Sequence, residues 1–551
     1  MKRWLPLLVI TLLGVYLRFD RLTTIPPSLS HDETAIAYNA YSILKTTSDE
    51  YGKPFPILFR SFDDYKLPGM VYATIPFVAL FGKGALAARL PSAIFGVLSI
   101  IQMYGLSIEL LGDKRWIHLG KKEFDAALLP PLAFAVSPWH INFSRQLFES
   151  NGAVFWFMLG THFLLRSRKD YKDILWAGLS YVVSLYFYYS VRLVIPFMLL
   201  LYVCNFWNTI TKQWKTTVFA LVVCLLAFLP LGKEMLSPGG LERISIVSVI
   251  NDPNYIKRRE DYVQKMGAHP TLINKVIYNR RVALIQTVIE NYGKNISPHN
   301  LFVTGTGTYG ALYPFEILLI PLGFLSLLSL SPFGSLLVCV WLISAFLPGA
   351  LSVNQPNTLR TLIAAPSLAI LSGLGVVQVI IFLSKKSINR IFVIFTVIAS
   401  FTWIVHEFPK FHYAYFVNNP SNNAVAFGDG NKQMVEYVKK HENEYDQIYV
   451  SGYYWRPYIF LLYWGNMDPA EYQQTGSREK FGKYMFTSAS WDTSGIKLMD
   501  PSFDPNTLEA SGKTLFILSP QELEVQKKHF KEIDQINGRR ADRVFVAAVQ
   551  Q

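Results

Sequence analysis

Residues 28–44 read SLSHDETAIAYNAYSIL, with His31, Asp32 and Glu33 side by side at the head of an apolar-patterned run. Upstream, residues 4–19 are almost wholly apolar; downstream, residues 67–82 (LPGMVYATIPFVALFG) are apolar again. Three ionisable groups between two such stretches are expensive if buried in hydrocarbon and useful if held at its edge. Ala35, Ile36, Ala40, Ile43 and Leu44 recur at helical spacing. The stretch therefore predicts a helix with Asp32 and Glu33 in its first turn, where the helix dipole favours anions. A helix cap at Ser30 or Asp32 accounts for the same residues without any chemistry. His31 reads as a solvated loop residue.

The rest of the chain says which solvent surrounds that helix. Of 551 residues, 51% are hydrophobic and 17% charged, and the mean hydropathy is +0.24. Soluble domains carry about 25% charged residues, so the class is a polytopic α-helical membrane protein. The net charge of +13 comes from short basic clusters between apolar runs. That is a loop-charge pattern and excludes a nucleic-acid-binding stripe. Cys204, Cys224 and Cys339 lie in apolar runs with neither metal-ligand nor disulfide spacing. Met1-Lys2-Arg3 precedes an apolar run with no small-residue cleavage site, which reads as an uncleaved first span.

Eleven segments qualify as spans: 4–19, 90–111, 124–138, 151–166, 173–190, 191–209, 216–232, 309–330, 332–350, 359–383 and 389–406. Residues 67–82, interrupted by Pro68 and Pro76, read as an interfacial helix that does not cross. With the N-terminus cytoplasmic, the clusters Lys114–Arg115, Lys121–Lys122, Arg166–Lys172, Lys212–Lys215 and Lys385–Arg390 all fall inside. The opposite side then holds a first outer loop (20–89), a large outer loop (233–308) and the tail from 407. The expected organisation is a transmembrane domain over 1–406 and an extracytoplasmic α/β domain over 407–551. In that tail, NKQMVEYVKKHENEYDQIYVSG reads as helix then strand, KTLFILSPQELEVQKKHF as strand, turn and helix, and ADRVFVAAVQ as a strand. It carries no dinucleotide or phosphate-loop glycine pattern.

The chemistry-bearing residues lie on the outer side of this topology. Asp32 and Glu33 are one acidic pair; Asp63 and Asp64, before YKLPG, are another, which equally suits a solvated turn. Lys66, Arg145, Arg192 and Arg360 are cations facing the same compartment, and His140 and Glu149 flank Arg145. Any one of these cations can snorkel, but four together suit a phosphate. Carboxylates and phosphate-binding cations beside a membrane match one reaction. An acceptor hydroxyl attacks the anomeric carbon of a lipid-phosphate sugar, a carboxylate takes its proton, and the leaving phosphate needs positive charge rather than an acid.

DDYKLPGMVY (63–72), FGKGALAARLPSAIFG (81–96), SPWHINFSRQLFES (137–150), YYSVRLVIP (188–196) and LRTLIAAPSLAILSGLG (359–375) follow the Asp-Glu helix in order. Over roughly residues 1–406 this order resembles the bacterial branch of the protein O-mannosyltransferase and aminoarabinose-transferase superfamily, GT-C glycosyltransferases using polyprenyl-phosphate sugars. The resemblance implies inverting transfer with Asp32 as base beside Glu33. It also implies a polyprenyl-phosphate-linked donor, a glycan, lipid or protein acceptor, and an active site outside the plasma (inner) membrane. One departure concerns metal. The aminoarabinose branch has a Glu-Lys-Pro-Pro motif whose carboxylate is implicated in metal binding; here Tyr65 precedes Lys66, Leu67 replaces the first proline, and Asp64 is the nearest carboxylate. No cofactor is assigned, and a divalent metal, with Asp64 as its candidate ligand, stays open. Two other classes fit the composition. They are a polyprenyl-linked glycan polymerase or ligase, which leans on loop arginines and a histidine, and a transporter or lipid flippase, which would show repeats and midplane charges.

Overall fold

The computed structural model describes the chain except residues 1–3, 63, 120–121, 268–270, 385–388, 476, 487–489, 492–496 and 499–511. The described chain is mostly helical and forms two compact units. One comprises Met1–Asp20, Asp64–Gly69 and Ser92–Tyr415; the other comprises Arg21–Asp63, Met70–Pro91 and Phe416–Gln551. This division differs from a boundary at 406/407. Helix Arg390–Tyr413 runs straight through that point, and most of the first outer loop belongs with the tail. Gln473 shows why. Its Nε2 donates to Ser42 Oγ at 3.0 Å, Thr46 Oγ1 at 2.8 Å and the Asp49 carbonyl at 2.8 Å, contacts that no local pattern announces.

Each of the eleven expected span ranges contains a helix. Among the described residues, five helices are long and apolar enough to cross a membrane: Ala85–Arg115, Val191–Lys212, Trp214–Met235, Pro332–Ala350 and Leu362–Leu383. Leu5–Phe19, Asp173–Phe187 and Glu316–Leu330 are shorter apolar helices. The range 124–138 departs most from expectation. Trp116–Leu119 and Lys122–Asp125 pair as an antiparallel hairpin, and α-helix covers only Leu129–Val136. Asp125 caps the turn that follows, accepting from Ala127 N at 3.1 Å. Ser137, preceding Pro138, sits at ψ 120° and ends the helix.

The first unit packs its helices through small residues. A Cβ on Gly323 would collide with the Leu371 carbonyl oxygen, and one on Gly375 with that of Leu319. Helices Glu316–Leu330 and Ala365–Leu383 thus touch backbone to backbone, the close approach that glycine permits between helices in lipid. Outward faces are apolar. On Trp214–Met235, Phe219, Leu226 and Leu229 are 60%, 63% and 65% exposed. Hydrocarbon, not water, is the solvent that suits such a face, which marks an integral membrane protein. The loop 233–308 is itself helical, with Pro238–Val247, Pro253–Met266, Leu272–Ile277 and Arg280–Ile296.

In the second unit, the tail builds a six-stranded mixed sheet. Gln447–Val450 lies parallel to both Thr514–Leu518 and Tyr484–Phe486. Phe545–Gln550 runs antiparallel to Thr514–Leu518 and to Phe530–Ile536, and Lys480–Phe481 forms the far edge. Tyr449, Phe516, Leu518, Phe530 and Val546 form its core with Leu523 from helix Pro520–Val525. The expected helix Asn431–His441 and the strands at 447, 514 and 545 are present. The strand at 530–536 and the short pair at 480–486 are additions.

Candidate functional site

The HDE stretch forms helix His31–Thr46 in the second unit. Ser30 is its N-cap. Ser30 Oγ accepts from Glu33 N at 3.4 Å, and Glu33 Oε2 accepts from Ser30 N at 3.0 Å, a reciprocal capping box. Glu33 is fully buried and also takes the Arg89 guanidinium in a fork, Nε to Oε1 at 2.9 Å and Nη2 to Oε2 at 3.2 Å. The same guanidinium donates to the carbonyls of Leu22, Pro26 and Ser28. Glu33 therefore orders the loop ahead of the helix. Asp32, beside it in the positive end of the helix, is only half-buried. His31 is not a solvated loop residue. It is the first residue of the helix, edge-on to Trp455 (5.2 Å) and Phe460 (4.9 Å), because the tail packs against this turn.

Three of the four anticipated cations gather in the first unit around Tyr188–Arg192. Arg192 lies over the Tyr189 ring, 4.3 Å from its centroid, and Arg243 approaches the same ring at 5.2 Å. Lys66 and Glu149 are within electrostatic reach of the Tyr189 hydroxyl, which donates to the Tyr65 carbonyl at 3.2 Å. Arg360 joins through Tyr188 and through Ser190 Oγ, which donates to the Arg360 carbonyl at 2.7 Å. Arg192 Nε and Nη2 are buried with no hydrogen-bond partner among the described residues. A buried charged donor without an acceptor costs about 1–3 kcal/mol or more. Such an arrangement fits a place where an anion binds.

The remaining candidates are placed differently. Arg145 is fully buried beneath helix Leu5–Phe19, donating to the carbonyls of Leu17 (2.9 Å) and Asp20 (2.6 Å) with its guanidinium over Tyr415. His140 is buried and stacked on Phe134, ring centroids 4.0 Å apart. Arg18 Nη2 donates to its Nδ1 at 2.7 Å, and its Nε2 donates to Asn151 Oδ1 at 3.0 Å. Burial and the adjacent Arg18 hold this imidazole neutral, its pKa well below the usual value. Arg18 also donates to the carbonyls of Gly14, Phe134 and Ala135. Asp63 lies outside the described residues.

Asp64 pairs with Arg243. A carboxylate neutralised by arginine, two residues from Lys66, is a poor ligand for a divalent cation. No group of three His, Cys, Asp or Glu side chains suited to metal gathers among the described residues. Among the described residues, Asp64 is thus committed to Arg243 and not to a metal-suited group. Sequence patterning does not point to Arg243 or Arg89. Arg89 stands in the quoted FGKGALAAR motif, and an arginine inside an apolar run is the available signal; Arg243, in the large outer loop, offers none.

No protein-family model and no curated protein sequence matches the chain. Solved structures do. ArnT from Cupriavidus metallidurans bound to undecaprenyl phosphate aligns over 100% of this chain and 98% of its own, with a TM-score of 0.52 at 12% identity. The same protein in the apo state aligns over 98% and 96%, with a TM-score of 0.53 at 12% identity. The chain thus shares the fold of these ArnT structures, as its motif order led one to expect.

Proposed function

We propose that the protein is a glycosyltransferase of the membrane that transfers a sugar from a polyprenyl-phosphate donor to an acceptor on the outer face, with inversion. The observation that carries this reading is the buried Arg192 guanidinium, which shares Tyr189 with Arg243 and Lys66 and has two nitrogens lacking an acceptor among the described residues. The shared fold with a structure holding undecaprenyl phosphate supports a phosphate of the same kind here. In the reaction, the acceptor hydroxyl loses its proton to Asp32 and its oxygen bonds to the anomeric carbon. The carbon–oxygen bond to phosphate breaks, and polyprenyl phosphate departs as an anion. Lys66, Arg192 and Arg243 stabilise that developing charge, and Arg360 positions the Tyr188–Arg192 turn. Asp32 suits the base because it retains some solvent access and stands where a helix dipole favours its ionised form. Glu33, tied to Arg89, orients the loop.

The test is transfer itself. Membranes containing the protein, incubated with labelled polyprenyl-phosphate sugars, are expected to yield a labelled acceptor product. No product with any such donor, while donor still binds, removes the reading. The same reading places the N-terminus inside, eleven spans across, and residues 407–551 outside the plasma membrane. Reporter fusions after residues 120 and 420 are then expected to read cytoplasmic and extracytoplasmic, and a cytoplasmic second reporter overturns the topology.

A further inference from the structure

The second unit holds a cavity of about 320 Å³ that the transfer reaction does not use. Its charged lining consists of Lys83, Lys432 and Arg539 against one carboxylate, Asp429. That carboxylate is committed elsewhere. It accepts from the backbone N–H groups of Arg539 (2.9 Å), Arg540 (2.7 Å) and Ala541 (3.1 Å), holding the turn that carries Arg539. Lys432 reaches Glu436 at 3.4 Å on its own helix and lies over the Trp464 ring. The cavity is thus net positive.

Lys83 is held in place by residues far from it in sequence. It stands in Gly82-Lys83-Gly84, the connection between helices Pro68–Phe81 and Ala85–Leu111. Tyr463 pins that connection, its hydroxyl accepting from Gly84 N at 2.8 Å and donating to Gly84 O at 3.1 Å. Lys83 Nζ donates to the Gly465 carbonyl at 2.7 Å and lies 4.8 Å from the Tyr41 ring centroid. Burial, then the charge of Lys439, lowers its pKa to about 8. A bound anion would raise it again. The exposed residues beside the connection, Leu80, Phe81 and Leu86, are apolar at 75%, 55% and 38% exposure, as at the rim of a membrane.

We propose that this cavity binds a phosphate-bearing anion, at a site separate from the Arg192 cluster. Two sources share that chemistry: the headgroup of an anionic membrane lipid and a soluble phosphate ester. Three cations around a cavity of this size suit either one.

The test uses the full-length protein in detergent with two probes. Retention of phosphatidylglycerol, relative to phosphatidylcholine, is read by native mass spectrometry; binding of glucose 6-phosphate is read by equilibrium dialysis. The variant Lys83→Met/Lys432→Met/Arg539→Gln is compared with Lys527→Met/Lys528→Met/Lys531→Met, which removes the same charge from exposed positions of the same unit. At least a tenfold loss of one probe in the cavity variant, with the control unchanged, is expected. Loss of phosphatidylglycerol alone identifies a lipid headgroup, and loss of glucose 6-phosphate alone identifies a soluble ester. Equal loss in both variants, no loss in the cavity variant, or no binding of either probe to the wild type overturns the site. Should the triple variant melt early, Arg539→Gln at its exposed position carries the test, with about a threefold loss expected.

Discussion

Arg89 donates five hydrogen bonds, two to Glu33 and three to loop carbonyls, and is fully buried. Arg192 is largely buried as well, yet its Nε and Nη2 find no acceptor among the described residues. The two arginines are alike in sequence, each beside an apolar run, and either suits a snorkelling anchor. What separates them is how fully their donors are satisfied. A guanidinium whose N–H groups are spent on the chain itself is part of the scaffold; one that keeps donors in reserve has somewhere to put an anion.

The sharpest break would come at the carboxylates. If Glu33 is scaffold, as its pairing with Arg89 requires, Asp32 is left to act as base. Asp32→Asn is then expected to slow transfer about 10²–10⁴-fold without changing the melting temperature or donor affinity. Transfer at the wild-type rate would reduce Asp32 to a first-turn residue. Next is Arg89→Met, which strands a buried carboxylate and is expected to cost about 3–5 kcal/mol of stability, read as a lowered melting temperature. An unchanged temperature would show that the loop at 22–28 holds without it. Arg192→Met should do the reverse. Donor binding weakens by about 1.5–3 kcal/mol, the worth of a charge-assisted hydrogen bond, while stability holds or rises because an unsatisfied buried charge is gone. If this variant melts as early as Arg89→Met, the contrast between the two arginines collapses.

The smallest effect concerns Glu50, a fully buried carboxylate in the second unit beside the Tyr51 hydroxyl. Burial pushes its pKa up to about 8. The folded state therefore keeps this proton over a range where the unfolded chain releases it. The stabilising contribution is full below the ordinary glutamate pKa and is lost as pH rises through about 8. Between pH 6 and 8 the loss is about 1.4 kcal/mol per pH unit at most. Glu50→Gln should flatten that slope in melting curves; an unaltered slope would mean that another group titrates.

Local order is legible in the residues themselves. The capped helix at 31–46 follows from Ser30, Glu33 and the helical spacing of its apolar residues, all within a few positions of one another. The strands at 447, 514 and 545 announce themselves by β-branched and apolar runs next to turn residues. What stays illegible depends on distance. Glu33 meets Arg89 across 56 residues, and Asp64 meets an arginine in another loop. Lys66, Arg192 and Arg360 are conspicuous by their charge and do assemble around one turn, whereas Arg145 and His140, equally conspicuous, are bound up under the first helix. Charge and position along the chain do not say which donors will be satisfied; only the packed structure does.

Arg18 closes the last turn of helix Leu5–Phe19, and its acceptors at Phe134, Ala135 and His140 lie 116 to 122 residues further along. During synthesis the first helix emerges long before those acceptors exist. Its arginine must stay hydrated at the membrane edge, or lean on its own helix, until residues 134–140 have been made and inserted. That helix is thus sealed only by residues more than a hundred positions later, and its final depth in the bilayer is decided by a part of the chain still untranslated when it first meets lipid.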